Sequence, residues 1–255
     1  MGDQVTSRLP IKLGQEPLID ALFEVRFSSS VAASSILPGF LYSKLDGITT
    51  IEELPSAQLP KALRDSDPSL QYAPVSRLDW GAFAISISDR SVVIGCKYPY
   101  PGWTSFKPAI IEVMTILSKI GIIQSVQRYS MKYVDLLPSS DLKQQISFIN
   151  LKVTIAGHKL DKETFQIRIE VLRDGFINAI QVVTSATVVS PDGAMKSGVI
   201  VDVDTIDNLN GVAVPFKEFL EDFSVKLEAI HKTNKAIFFD CLKKKTIEAL
   251  EPIYE

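Results

Sequence analysis

Alternation of apolar and polar side chains is the strongest pattern in this chain, and it predicts a series of β-strands. In PLIDALFEVRF, apolar side chains occupy every second position from Ile19 to Phe27, whereas Asp20, Glu24 and Arg26 fall between them. A strand with one buried face shows this period of two. The same pattern predicts strands in WGAFAISISDRSVVIGC (a hairpin), QSVQRYSMKYVDLLP, INLKVTIAG, FQIRIEVL, NAIQVVTSATVVS and VIVDVDTID.

The alternation also predicts which side of each strand is buried. The strand after the middle helix is expected to bury Tyr129, Met131 and Tyr133 and to expose Arg128, Ser130 and Lys132. Two later strands are expected to bury Ile149, Leu151, Val153 and Ile155, and Phe165, Ile167, Ile169 and Val171. Asp174-Gly175 predicts a tight hairpin turn, because both residues tolerate positive φ.

Apolar residues at helical spacing predict two main helices. One runs from Phe106 down to Gly121, with Ser105 as its N-cap and Pro108 within its first turn. A long amphipathic helix begins at Pro215 and buries a stripe of aromatic and aliphatic side chains. Shorter helical pieces are predicted in SSSVAASSILPGFLYSKL and LKKKTIEAL.

These elements together predict an α+β fold, a mostly antiparallel sheet with amphipathic helices packed on one face. The first half has the order β-α-β-β-α-β, and the second half is an antiparallel meander followed by a long C-terminal helix. Residues 46–79 contain several prolines and little periodicity, so we expect a long surface connection there. The stretch LLPSSDLKQQ marks a boundary between residues 1–138 and 139–255, two halves that we expect to pack as one unit.

Composition and charge favour a cytoplasmic protein. Of the 255 residues, 46% are apolar and 22% are charged, which allows a sizeable core. The two cysteines are too few for a disulfide framework and fit a reducing compartment. MGDQVTSRLPIKLGQEP contains no apolar run long enough for a signal peptide, and IIEVMTILSKIGII is too short and too charged for a membrane span. No membrane association is expected.

The sequence contains few of the constellations that carry chemistry. The two histidines and two cysteines lie far apart, so no zinc-binding spacing is present. A phosphate-binding glycine loop and a G-x-S-x-G motif are also missing. His158 and His231 are each interpreted as ordinary surface or boundary histidines. No cofactor is expected.

Asp202 and Asp204 form the one acidic pair that could bind a metal ion. On a strand their side chains fall on the same face, about 6–7 Å apart. Two such carboxylates can hold Mg²⁺ when a third ligand and a phosphate join them. A solvated strand face is the favoured interpretation, and the metal site is kept as a weak alternative.

Nucleic-acid binding is not favoured by the charge pattern. The net charge is −3, and the outward positions of the predicted strands carry five acidic and five basic residues. Binding to a polyanion requires a clear basic excess, because affinity rises with the number of phosphates neutralised. The basic run Lys243–Lys245 is short and typical of a solvated helix face.

The stretch YPYPGWTSFKP combines rigid aromatic side chains with turn-forming residues. Tyr98, Tyr100 and Trp103 precede the middle helix, and Pro99, Pro101 and Gly102 fix the turn. A structural corner at the edge of the sheet is the favoured interpretation. Interfaces also recruit rigid aromatics, which bring large contact area at little entropic cost. The candidate interface residues are Tyr98, Tyr100, Trp103, Arg128 and Lys132.

Four stretches resemble a sporadically distributed family of uncharacterised bacterial proteins of about this length. They are PLIDALFEVRF, YPGWTSF, RYSMKYVD and LEAIHKTNKAIFFDCL, so the resemblance spans roughly residues 10–250. Arg128 and Tyr129 match the family pattern, whereas Lys132 and Val134 stand where the family has asparagine and isoleucine. The resemblance implies a bacterial cytoplasmic setting and a link to defence or mobile gene contexts, and it brings no catalytic residues.

A non-enzymatic interaction or regulatory protein is the leading hypothesis for function. It rests on a well-patterned core beside an absence of reactive constellations. Its partner is expected to be another protein or a second copy of the chain. The alternative is a metal-dependent enzyme that processes a small molecule or nucleotide with Asp202 and Asp204 near Arg128 or Lys132. A cleft for an apolar ligand between the sheet and the helices is a third option.

Overall fold

Strands and helices account for most of residues 9–68, 70–189 and 193–254, which this computed structural model describes. The strands are β1 (Lys12–Leu13), β2 (Leu18–Ser29), β3 (Ile48–Glu53), β4 (Ser76–Trp80), β5 (Phe83–Ile87), β6 (Ser91–Cys96), β7 (Ile123–Pro138), β8 (Thr154–Ile155), β9 (His158–Lys159), β10 (Gln166–Arg173), β11 (Phe176–Val189), β12 (Met195–Asp207), β13 (Val214–Pro215) and β14 (Pro252–Ile253). The helices are α1 (Leu37–Tyr42), α2 (Lys61–Ser66), α3 (Trp103–Ser118), α4 (Leu142–Phe148), α5 (Phe216–Glu221), α6 (Phe223–Asp240) and α7 (Lys244–Ala249). Short 3-10 turns cover Ala33–Ser35, Pro55–Gln58 and Leu209–Gly211.

One large antiparallel sheet organises the fold. Its strands follow the order β10-β11-β12-β7-β2-β6-β5-β4-β3, and β13 pairs with β7 beyond the end of β12. The long central strand β7 lies between β2 and β12. Strands from both sides of the 138/139 boundary therefore share a single sheet. Two small ribbons, β1 with β14 and β8 with β9, stand apart from it.

Helices cover one face of this sheet and bury a continuous core. Phe23 and Phe27 of β2 are fully buried together with Phe106 of α3 and Phe219 of α5. A second cluster packs the apolar side chains of β12 against the end of α6, around Ile237. The opposite face, which we call the open face, presents Asp20, Glu24, Arg26, Arg128, Lys132, Asp202 and Asp204.

The α+β class with a large antiparallel sheet is confirmed, and so is the tight turn between β10 and β11. Asp174 and Gly175 adopt φ values of 54° and 82°, and Arg173 pairs with Phe176 across the turn. Glycine needs no strain for this conformation, and aspartate tolerates it. The predicted hairpin corresponds to β5 and β6, with a turn at residues 88–90.

Three predicted elements differ from the structure. Residues 46–79 are not a plain connection, because they form β3, α2 and β4 and extend the sheet at one edge. The long helix from Pro215 is broken at Asp222 into α5 and α6. The strand predicted over residues 149–157 is reduced to β8, because Ile149 is buried beside Leu242 rather than in the sheet.

Several burial predictions are also wrong. Ser130 was expected to be exposed and is only 2% exposed, whereas Ile169 and Val171 were expected to be buried and are 49% and 37% exposed. Ile155 is exposed at the β8–β9 ribbon. Helix α3 begins at Trp103 with Gly102 as N-cap, so Ser105 is not the cap and Pro108 lies inside the helix.

Cys96 and Cys241 are free thiols. Within the described part of the chain, no helix combines the length and the apolar character that crossing a bilayer requires. No signal peptide was expected in the N-terminal stretch MGDQVTSRLPIKLGQEP. Residues 1–8 of this stretch lie outside the described residues.

Candidate functional site

A cluster of charged side chains occupies the middle of the open face. It consists of Glu24 and Arg26 on β2, Arg128 and Lys132 on β7, and Asp202 and Asp204 on β12, and we call it the central charge cluster. The register of β2 and β12 with β7 explains why these side chains lie together, because Glu24 lies opposite Ser130, and Asp204 lies opposite Lys132. Alternation on three neighbouring strands thus brings six charged residues onto one surface.

Ion pairs link these residues across the strands. Arg128 lies 3.6 Å from Asp204 and 3.7 Å from Glu24, measured between nitrogen and carboxylate oxygen. Lys132 contacts Asp202 at 2.9 Å, and the guanidinium of Arg26 donates to Glu24 at 2.9 Å. The side chains are only partly exposed, from 13% for Glu24 to 33% for Lys132. The cluster is therefore half-buried although no helix covers it.

Arg128 and Asp204 are held at an energetic cost. Burial lowers the pKa of Arg128, with a further contribution from the neighbouring Arg26, and burial raises the pKa of Asp204 despite the nearby Arg128. Both directions mean that desolvation outweighs the attraction between the pair. In addition, Arg128 Nε and Asp204 Oδ1 are buried without a hydrogen-bond partner among the described residues.

One end of the cluster is bounded by Tyr72, which the sequence did not indicate. The guanidinium carbon of Arg26 lies 4.1 Å from the centroid of the Tyr72 ring, in a cation–π contact. Tyr72 belongs to the segment that was predicted as a plain surface connection. Proline-rich segments give little periodic signal, so this contact could not be found from the sequence.

The aromatic corner lies beyond the other end, next to Asp20. Tyr98, Tyr100, Cys96 and Asp20 border a small hollow of about 10 Å³, the size of one water molecule. Tyr98 is 55% exposed. The hollow is too small for an apolar ligand.

Tyr100 and Trp103 are engaged within the protein. The Tyr100 ring packs edge-on against Tyr133 with centroids 6.0 Å apart, and the two hydroxyl oxygens lie 3.2 Å apart. The Trp103 ring stacks on His231 of α6 at 3.8 Å, and its indole N–H donates to Glu228 at 3.3 Å. These contacts anchor the corner to α6. Tyr98 is the corner residue left available to a partner.

Neither histidine is poised for catalysis. Burial, followed by the charge of Lys235, lowers the pKa of His231 to about 4, so its stacked imidazole is neutral at physiological pH. His158 contacts Glu163 at 2.9 Å, and this pair sits at the exposed β8–β9 ribbon. Neither imidazole faces a serine or cysteine in a hydrogen bond among the described contacts.

The two aspartates of the weak metal alternative are each occupied by a cation. Lys132 contacts Asp202, and Arg128 contacts Asp204. Over residues 9–68, 70–189 and 193–254, no group of three His, Cys, Asp or Glu side chains is arranged to hold a metal ion. A metal would have to displace two ammonium or guanidinium groups, which argues against this site.

Comparisons with known proteins give no relative from which a function could be transferred. The chain matches none of the protein-family models, and no curated protein matches it significantly.

Proposed function

We propose that this chain is a non-enzymatic interaction or regulatory protein of the bacterial cytoplasm that binds another protein through its open face. The binding surface consists of the central charge cluster, with Tyr98 at its rim. The resemblance to a sporadically distributed bacterial family supports the setting and the link to defence or mobile gene contexts.

One observation carries the proposal: the half-buried pair of Arg128 and Asp204 is retained on the open face although desolvation outweighs the attraction between its two charges. Arg128 and Asp204 lose hydration, and each has one buried atom without a hydrogen-bond partner in the part of the chain that the structure describes. Charged groups whose pKa values are perturbed by burial beside a specific charge partner are candidates for functional sites. A partner that supplies hydrogen bonds and counter-charges here would recover part of the desolvation cost on binding.

The charge pattern favours a protein as the partner. The open face carries Asp20, Glu24, Asp202 and Asp204 beside Arg26, Arg128 and Lys132. Around the central charge cluster a polyanion would meet these carboxylates as well as the cations, whereas a protein surface can present both signs in register. Tyr98 adds an exposed aromatic side chain of the kind that anchors protein interfaces.

Affinity purification from cells of the native host tests the proposal. Wild-type protein should retain a defined partner, and Lys132→Met and Tyr98→Ala should each lose it. Lys217→Met is the matched control, because Lys217 is exposed on α5, on the helix side of the molecule. Affinity for the purified partner should fall as salt is raised, since charges contribute to recognition. Absence of any retained partner, or equal retention by all variants, would contradict the proposal.

A further inference from the structure

Strand β10 ends the large sheet, and its outer edge is unpaired among the described residues. It pairs with β11 on one side over its whole length, from Gln166 opposite Val183 to Arg173 opposite Phe176. An edge strand presents a row of free backbone N–H and C=O groups to any strand that can align with it.

The side chains of β10 that share the helix-side face are apolar and bare. Ile169 is 49% exposed and Val171 is 37% exposed, and Ile167 precedes them on the same face. On the neighbouring strand, Ile180 and Val182 continue this face into the core under α6. The apolar surface thus begins in the core and runs outward to Ile169 and Val171, which are exposed.

This edge lacks a proline and a bulge, two of the features that keep sheet edges apart. β10 contains no proline, and its register with β11 shows no bulge. The edge strand at the other end, β3, has a register shift between Ile48 and Thr50 and ends in Glu52 and Glu53. Bulges and charged side chains protect an edge from pairing. β3 has a bulge and two charges of the same sign, whereas Arg168 and Glu170 of β10 have opposite signs, so a second copy of β10 can pair with them.

The hairpin determines which residues of β10 direct their backbone N–H and C=O groups toward β11 and which direct them outward. Across the two-residue turn, Arg173 and Phe176 form a hydrogen-bonded pair, and further along Thr184 N–H donates to the Phe165 carbonyl. Odd-numbered residues of β10 therefore direct their backbone groups toward β11. The even-numbered residues direct theirs outward, and these are Gln166, Arg168, Glu170 and Leu172.

We propose that two copies of this chain associate through β10, antiparallel about a two-fold axis at Ile169, and so join their sheets into one. In this register Arg168 of each copy lies opposite Glu170 of the other, and Gln166 lies opposite Leu172. All of these are outward-directed residues, so the two strands can exchange roughly eight backbone hydrogen bonds. On the other face, Ile169 meets its own copy and Ile167 meets Val171.

Charge complementarity selects this register over its neighbours. A two-fold axis at Arg168 would place two guanidinium groups directly opposite each other, and an axis at Glu170 would place two carboxylates opposite. Like charges in directly opposed positions destabilise a strand pair. A shift by one residue would oppose outward-directed and inward-directed backbone groups. An axis at Ile169 satisfies charge, hydrogen bonding and apolar contact together, and it gives a closed dimer.

Self-association at β10 is separate from the open-face binding proposed above. The β10 edge lies three strands away from β7, at the end of the sheet. A dimer therefore leaves the central charge cluster free, and either proposal can fail without the other.

Charge-swap variants examined by light scattering and sedimentation test the dimer. Wild-type protein should show a concentration-dependent rise from 28.2 kDa to twice this mass. R168E and E170R should each raise the dissociation constant at least about tenfold, because like charges then face each other at two places. The double variant R168E/E170R should restore the dimer.

Mixing the two single variants distinguishes charge pairing between two copies of the chain from the Arg168–Glu170 ion pair within one strand. Arg168 and Glu170 also contact each other within the chain at 2.8 Å, and both single variants break that contact. When R168E is mixed with E170R, opposite charges face each other across the dimer at both places. The mixture should therefore form heterodimers although each variant alone is monomeric.

K217E and E221R on α5 are the matched controls for the change in net charge and should dimerise like the wild type. A wild type that stays monomeric at high protein concentration would overturn the proposal. So would a dimer that R168E and E170R leave intact, or a mass that grows beyond the dimer.

Amide hydrogen exchange gives a second measurement that does not depend on variants. The outward amides of Arg168, Glu170 and Leu172 should exchange more slowly as protein concentration rises. The inward amides of Ile167, Ile169 and Val171 are already bonded to β11 and should change less. Equal behaviour of the two sets would contradict pairing at this edge.

Discussion

Asp135 is a buried carboxylate that the predicted strand pattern does not explain. It lies on β7, is only 4% exposed, and sits near Glu16 and Asp202. Burial raises its pKa well above the ordinary value, and the two neighbouring carboxylates add to the effect. Because the folded-state pKa exceeds the unfolded one, the folded state binds the proton more tightly. Its contribution to stability is then most favourable at low pH and is lost as pH rises from about 4 through the folded-state pKa.

Asp135→Asn should therefore stabilise the protein at pH 8. Asparagine has a similar shape and cannot ionise, so the cost of a buried negative charge disappears. The gain over wild type should shrink as pH falls through the folded-state pKa and be smallest below about pH 4, where wild-type Asp135 is protonated in both states. Urea denaturation at several pH values measures this. Asp161→Asn, at an exposed position, is the control and should show no such trend; a loss of stability at pH 8 in Asp135→Asn would contradict the assignment.

The sequence predicted which side of a strand a polar residue occupies, but not whether that residue is buried there. Glu24, Arg26, Arg128 and Lys132 were assigned correctly to the outward side, and the structure brings them together. Ser130 was assigned by the same rule but is buried between its charged neighbours on the open face. Asn234 is buried on α6, where its amide donates to the carbonyls of Met131 and Val203. Such long-range partners leave no periodic signal.

Among the elements, the segment from β3 to β4 shows where sequence patterns lose information. Its prolines suggested a connection, yet they lie between the strands, in the turn at Pro55–Gln58 and around α2. The strands themselves are short and half-exposed, so no clear alternation marks them. By contrast, β2, β7 and β12 are long and have one buried face, and these strands were predicted.

Arg64 ties α2 to the rest of the fold. Its guanidinium donates twice to Asp89, at 3.0 and 3.2 Å, and the side chains are 12% and 6% exposed. Asp89 lies in the turn between β5 and β6 and also accepts a hydrogen bond from Ser34.

Arg64→Ala should lower the free energy of unfolding by about 3 kcal/mol, because Asp89 stays buried without its cation. Lys61→Ala is the control. Lys61 forms an exposed pair with Asp65 one helical turn away, and its loss should change the free energy of unfolding far less than the loss of Arg64. Urea denaturation measures both, and proteolysis should cleave within residues 60–75 faster in Arg64→Ala. Equal stability of the two variants would show that the buried pair does not hold α2.

At the scale of the whole molecule, a single sheet separates a side covered by helices from the open face. The helix side carries the apolar core, whereas the open face carries charged side chains that pair with one another. The sequence predicted the apolar side and the charged side of β2, β7 and β12, but not the exposure of Ile169 and Val171 on β10. It did not predict which strands are neighbours, and that pairing creates the central charge cluster.

If the charges of the open face serve recognition, their removal should raise stability while it abolishes binding. Arg128→Met together with Asp204→Leu replaces a half-buried ion pair by apolar side chains of similar volume. Such replacements are neutral or stabilise proteins by about 1–4 kcal/mol, and Glu24 keeps Arg26 as its partner. We expect the double variant to gain about 1–2 kcal/mol in urea denaturation and to lose the partner in affinity purification.

Each single variant should behave in the opposite way, because it leaves one charge without its partner. Arg128→Met should lower the free energy of unfolding by about 2–4 kcal/mol, since Asp204 is then buried without a guanidinium beside it. A double variant as unstable as Arg128→Met would mean that the ion pair contributes to the fold. The charges would then have a structural explanation, and the argument for a binding surface on the open face would no longer hold.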